Sequence, residues 1–321
     1  MEKLIEIKKL YKKFPKTKDF LGRAGGFVYA LNGIDLAIYK GETLGIVGES
    51  GCGKSTLGRC MLNLITPDSG EVYFENKNIL SIPKQELKSI RKDIQIIFQN
   101  PYSSLNPRMR IKDILSEPLK LNSNLGKEEI DKKVDEILSL VGLSPESKNN
   151  LPHEFSGGQR QRIVIARALI LNPKFVVADE PISALDISIQ AQIIQLLSDL
   201  KEKFNLTYAF ISHDLRTVKN FCDRVAVMYL GEIVETASAT ELFKNPKHPY
   251  TQALLKSIPQ IDLNNKKEIQ PIPGEPQTNE NIVKGCKFAK RCPHATDICL
   301  KNDPKDINIA NSHIVKCFLY N

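Results

Sequence analysis

The chain has 321 residues, 41% of them hydrophobic and 26% charged, the composition of an ordinary globular protein with room for one large domain plus an extension, or for two domains. No apolar run approaches the roughly 18 residues a spanning helix needs, which argues against an integral membrane protein and leads to the expectation of a soluble, cytosolic one. The formal net charge of +8 suits an anionic partner such as nucleotide, nucleic acid or lipid head group, and suits a well-solvated surface equally.

The N-terminal MEKLIEIKKLYKKF alternates apolar and charged residues and lacks an apolar h-region, so no signal peptide is expected. The strongest signal follows in GETLGIVGESGCGKSTLGRCMLNLI, 41–65. A short apolar strand, 44–47, runs into Gly48-x-x-x-x-Gly53-Lys54-Ser55 and then into an apolar helical pattern, the context that a phosphate-binding loop requires. Gly48, Gly51 and Gly53 let successive backbone N–H groups turn inward, making a concave anion site at a helix N-terminus. Gly48, Glu49, Ser50, Gly51, Cys52, Gly53, Lys54, Ser55 and Thr56 are therefore the expected ATP cradle. Lys54 sets a point charge against the β- and γ-phosphates, and the Ser55 hydroxyl can ligate Mg²⁺.

Downstream, IQIIF (94–98) is a second strand, and from about 101 to 168 the pattern turns helical. In KEEIDKKVDEILSLVGL, Ile130, Val134, Ile137, Leu138 and Val141 share one helix face. A helical insertion over about 100–170 is expected between two halves of a sheet. In FVVADEP, four apolar residues form a buried parallel strand with Asp179 and Glu180 at its carboxyl end. After a phosphate loop in the same chain, Asp179 would hold the Mg²⁺ shell and Glu180 would polarise the attacking water. LTYAFI (206–211) and RVAVMYL (224–230) complete an α/β parallel sheet of the P-loop NTPase kind. Beyond 239, Pro, Asn and Lys rise and periodicity fades, which marks an appended segment.

At FSGGQRQR, 155–162, the chain resembles the ABC ATPases. Ser156, Gly157, Gly158 and Gln159 match the signature motif, with Phe155 where Leu is usual, and they open a helix as a second N-terminal anion site. The resemblance implies that this loop acts in trans, capping the γ-phosphate held by an opposite subunit. It further implies a Q-loop at Gln99, sensing Mg²⁺ and the transport domain, a D-loop in SALD ending at Asp186, and a switch histidine at His213 that contacts the γ-phosphate. An adenine-stacking aromatic is expected just after the first strand. Phe14 fits, although Tyr11, Phe27 and Tyr29 are close and 15–26 looks inserted.

The later segments NPKHPYTQALLKSIP, PIPGEP and GCKFAKRCPHATDIC resemble the C-terminal region of oligopeptide/dipeptide transporter ATPases, and GESGCGKSTLGR is closer to the DppF/OppF member of the paired subunits than to DppD/OppD. The implied architecture is an ABC nucleotide-binding domain over 1–240 and a cysteine-bearing extension over 241–321. Implied partners are a second ATPase subunit, similar but distinct or else identical, two membrane permeases and, indirectly, an external solute-binding protein; nucleic acid is not among them. The place of work would be the cytoplasmic face of the membrane. A related nickel importer shares this architecture, and an iron–sulfur assembly ATPase is the rival outside transport. Chromosome and repair ATPases are disfavoured, since no long heptad run separates phosphate loop and signature, as are two-cassette translation factors, since only one of each motif occurs.

Cys286, Cys292, Cys299 and Cys317 gather near the end, whereas Cys52, Cys60 and Cys222 are scattered and read as unlinked thiols. Disulfides are rare in a reducing cytosol, and a segment with few large apolar residues needs a staple. Four thiolates suit Zn²⁺ or an iron–sulfur cluster by softness. No C-x₂₋₄-C pair favours zinc, while cubanes accept varied spacings, and some ATPases of the resembled subfamily carry such a cluster. A [4Fe–4S] cluster is the expectation and Zn²⁺ the alternative. The adjacent Lys284, Lys287, Lys290 and Arg291 are expected to offset its negative charge.

Overall fold

Successive side chains of the strand Lys3–Pro15 point to opposite faces, so Ile5 and Ile7 are buried while Glu6 between them is half-exposed. Ile5 lies opposite Phe74 across an antiparallel pair, and Ile7 opposite Val72. The computed structural model describes residues 2–16, 26–257, 274, 284–310 and 312–320. The PIPGEP stretch therefore lies outside the described residues apart from Gly274. Among the described residues, no helix is long and apolar enough to cross a membrane.

The chain divides into two units. The first comprises Met1–Glu2, Tyr39–Glu42 and Ser81–Ile211. Its parallel strands run in the order Thr207–Ile211, Phe175–Asp179, Ile94–Ile97, with Phe175 paired to both Thr207 and Ile94. All five positions of Phe175–Asp179 and of Thr207–Ile211 are buried, Asp179 and Thr207 included, as the apolar residues filling the rest of each strand predict for strands covered on both faces. Helices Pro101–Ser104, Ile111–Asn122, Lys127–Leu140 and Gly157–Leu169 occupy the expected helical insertion. In Lys127–Leu140 the buried side chains are Ile130, Val134, Ile137 and Leu138, the face that the 3.6-residue period picks out.

The second unit comprises Lys3–Ile38, Thr43–Leu80 and Ser212–Asn321. It holds an antiparallel sheet in the order Phe27–Tyr39, Lys3–Pro15, Ser69–Phe74, Lys77–Asn78. It also holds the strands Ile307–Ala310, His313–Val315, Glu232–Ser238, Arg224–Tyr229 and Thr43–Val47, side by side in that order. Thr43–Val47 pairs parallel with Arg224–Tyr229, but the next three are antiparallel. The sheet is thus mixed rather than wholly parallel, because a tight turn at Leu230 and Gly231 returns the chain on itself.

The C-terminal stretch is woven into this unit through one buried carboxylate. Glu235, 1% exposed, accepts hydrogen bonds from the Lys247 and His248 amides at 2.7 and 2.9 Å. His313 Nε2 lies 2.7 Å from the same carboxylate. A buried carboxylate is tolerated only when its lone pairs are met in this way. Replacing Glu235 by Ala should cost about 3–5 kcal/mol, because three polar partners are orphaned together. A lowered urea midpoint, with early proteolysis of the tail, is the expected measurement.

Candidate functional site

The phosphate loop lies in the second unit, between the buried strand Thr43–Val47 and the helix Lys54–Met61. Gly48 has φ +152°, and a Cβ there would collide with the Met228 carbonyl oxygen. Gly53, the helix N-cap at φ +108°, meets the Ala30 carbonyl oxygen in the same way. These two approaches explain why glycine is needed at both ends of the loop. Lys54 is 5% exposed, and its ammonium donates to the carbonyls of Gly48 and Glu49, each at 2.9 Å. Ser55 and Thr56 occupy the first turn of the helix, while Ser50 and Gly51 form the exposed turn before it. Cys52 is buried, and burial raises its thiol pKa against the opposing pull of Lys54.

All three polar groups of Glu49 are held. Its amide donates to the Tyr250 hydroxyl at 2.8 Å, its carbonyl accepts from Lys54, and its carboxylate meets Arg291. Sequence reasoning missed Tyr250 and Arg291 as neighbours of the loop, since they lie 201 and 242 residues downstream of Glu49. Arg291, expected to offset charge at the cysteines, is committed to Glu49 instead, and Lys287 lies 3.7 Å from Glu232. His213 is exposed, beyond the buried Ser212. Phe14 is half-buried with the Lys12 ammonium 5.3 Å from its ring centre. Tyr11, 44% exposed, packs over Gly33.

In the first unit, Asp179 is 2% exposed at the end of its strand, and Glu180 follows it with φ +49°. That left-handed conformation is costly for a non-glycine residue and persists only when neighbours impose it. The Glu180 amide donates to the Ile211 carbonyl at 3.0 Å, and its own carbonyl accepts from the Ser183 hydroxyl at 3.1 Å. Gln99 Nε2 donates to the Glu180 carboxylate at 2.8 Å, so the structure brings these two expected residues together.

Ser156 caps the helix Gly157–Leu169 through a reciprocal box with Gln159: Gln159 N–H donates to Ser156 Oγ at 3.3 Å, and Ser156 N–H to Gln159 Oε1 at 2.9 Å. Phe155, 6% exposed, supplies the apolar anchor that the usual Leu would provide. Asp186 is the N-cap of Ile187–Phe204, and a Cβ on Gly158 would lie 2.6 Å from Ile189 Cγ2 of that helix. The signature and the SALD turn are therefore packed together, with Ile187 left 84% exposed.

Cys286, Cys292, Cys299 and Cys317 line one cavity of about 100 Å³ with Phe288 and His248. Burial, with Cys317, Cys299 and Cys292 adding to it, pushes the Cys286 thiol up to about 11. Among the described residues, no group of three or more His, Cys, Asp or Glu is placed to hold a metal ion.

These elements, a phosphate loop, an acidic strand end and a capped Ser-Gly-Gly-Gln helix, define an ABC-type ATPase. The ABC transporter family model matches residues 31–183, and the model for the oligopeptide/dipeptide transporter C-terminal region matches 234–299. The chain is 49% identical to the oligopeptide transport ATP-binding protein AppF of Bacillus subtilis, over 99% of this chain and 98% of that one. It is 43% identical to the dipeptide transport ATP-binding protein DppF of Escherichia coli, over 98% and 94%. A dimeric ATP-binding cassette solved in a post-hydrolysis state with ADP and Pi superposes with a TM-score of 0.65 at 32% identity, covering 73% of this chain and 98% of that one. The chain belongs to the ATP-binding subunits of the oligopeptide/dipeptide ABC transporter family.

Because Gly48 has no room for a side chain, Gly48→Ala should weaken MgATP binding on the order of tenfold or more while the chain stays folded. Calorimetric titration beside a circular dichroism spectrum checks both halves of that expectation.

Proposed function

We propose that this subunit hydrolyses ATP to drive import of di- or oligopeptides, paired with a second similar ATPase on two membrane permeases at the cytoplasmic face. The names of its relatives and the matched C-terminal region support the peptide; selectivity itself would reside in the external binding protein and the permeases. Residues 48–56 would cradle the triphosphate, Ser55, Gln99 and Asp179 would complete the Mg²⁺ shell, and His213 would hold the γ-phosphate. Phe14 would stack on adenine. Ser156, Gly157, Gly158 and Gln159 would cap the nucleotide of the opposite subunit, with Asp186 at the dimer interface.

Glu180 carries the chemical reading. Its carboxylate is aimed by a strained backbone and a hydrogen bond from Gln99, the restraint expected of a group that must align water rather than merely solvate a loop. Gln99 and the stretch 100–112 would pass the state of the site to a permease. Tyr102 of that stretch is 62% exposed and has the Arg160 guanidinium 4.3 Å from its ring centre. Glu180→Gln should leave ATP binding intact, lower turnover by about 10²–10⁴-fold and trap a closed dimer visible by size-exclusion chromatography. Unchanged turnover would remove Glu180 from this role.

For the four cysteines we favour [4Fe–4S] over Zn²⁺. The ground is ligand spacing: zinc sites usually pair cysteines as C-x₂₋₄-C, which this stretch lacks, whereas a cubane accepts varied intervals. The cluster would supply a cross-link folding the tail. Protein purified without oxygen should contain about four iron and four sulfide per chain and absorb visible light. A colourless protein with one zinc per chain would favour the alternative.

A further inference from the structure

Arg291 sits on the short turn Ala289–Arg291, between Cys286 and Cys292, yet its guanidinium reaches the phosphate loop. Nη1 and Nη2 meet the two carboxylate oxygens of Glu49 at 2.9 and 3.0 Å, a bidentate fork. The Arg291 side chain is 3% exposed and that of Glu49 26%. Nη1 also lies 3.4 Å from the Tyr229 hydroxyl. Around the fork, Tyr229, Tyr250 and Phe288 pack with ring centres 4.5 to 5.4 Å apart. Tyr250, fully buried, takes the Glu49 amide hydrogen bond.

The chemistry of the loop makes this arrangement consequential. A carboxylate in a phosphate cradle repels the ligand that the cradle exists to hold. A fixed guanidinium cancels that charge and, through the fork, fixes where Glu49 lies. We propose that Arg291 is a positioning residue for nucleotide binding, by which the C-terminal extension neutralises and orients Glu49 so that the loop accepts a triphosphate. The proposal rests on reading residues 48–56 as the nucleotide cradle.

The full chain is titrated with the non-hydrolysable imido analogue of ATP in the presence of Mg²⁺. Arg291→Met should weaken binding by about tenfold, since the carboxylate is left uncompensated. Adding Glu49→Gln to Arg291→Met should restore affinity to within about twofold of the native chain, because the uncompensated carboxylate is removed with it. A packing role for Arg291 would not be rescued by removing a charge elsewhere. Arg291→Lys, which keeps the charge and loses the fork, should fall about threefold short. Should Arg291→Met fail to fold, Arg291→Gln, which also removes the charge, carries the same comparison with and without Glu49→Gln.

Native-like affinity in folded Arg291→Met, or no recovery in the double variant, overturns the proposal; where only the glutamine pair folds, no recovery there does the same. Lys54→Ala is the separate control. If it binds nucleotide normally the cradle reading falls, whereas its loss of binding beside an unaffected Arg291→Met sinks the Arg291 proposal alone.

Discussion

Gly48 enters the phosphate loop with its α-carbon against the Met228 carbonyl, and Gly53 leaves it with its own against that of Ala30. Between these fixed points, Glu49 is the residue on which the remaining restraints converge. Its amide, carbonyl and carboxylate are tied to Tyr250, Lys54 and Arg291 respectively. A loop that must offer its N–H groups to an anion gains little from flexibility, since ordering it at the moment of binding would cost conformational entropy. The second unit meets that cost during folding, through contacts far along the chain.

The first unit uses a different device. Ser156 accepts the Gln159 amide and so secures the start of its helix. A hydroxyl has two lone pairs and one proton, so the cap still leaves Ser156 an O–H with which to donate. Structural and ligand-facing roles are compatible at one atom. Glu180 differs, because its left-handed backbone is a strain that the neighbouring Ile211, Ser183 and Gln99 bonds offset.

Much of this was legible in the sequence because the informative patterns are local. Buried strands such as Phe175–Asp179 read as largely apolar runs, the helix face of Ile130, Val134, Ile137 and Leu138 follows its period, and the phosphate loop is a contiguous motif. The Gln99–Glu180 bond could be anticipated only through family resemblance, since the two are separated by the helical insertion. The antiparallel strands Ile307–Ala310 and His313–Val315 escaped notice because they are short and only partly apolar. Arg291 was misjudged for a related reason. Its neighbours in sequence are cysteines, but its ionic partner is Glu49, and nothing local in either segment signals the other.

The pairing of His313–Val315 onto Glu232–Ser238 also bears on solubility. It occupies backbone groups that would otherwise form an open sheet margin. Among the described residues, only the four of Ile307–Ala310 lie beyond it at the rim. Short outer strands are poor templates for a second chain. Shortening the polypeptide before His313 would uncover a longer, partly apolar margin and strip the buried Glu235 of one partner at the same time. The terminal residues thus serve as a selvedge, keeping neighbouring molecules from adding themselves to the weave.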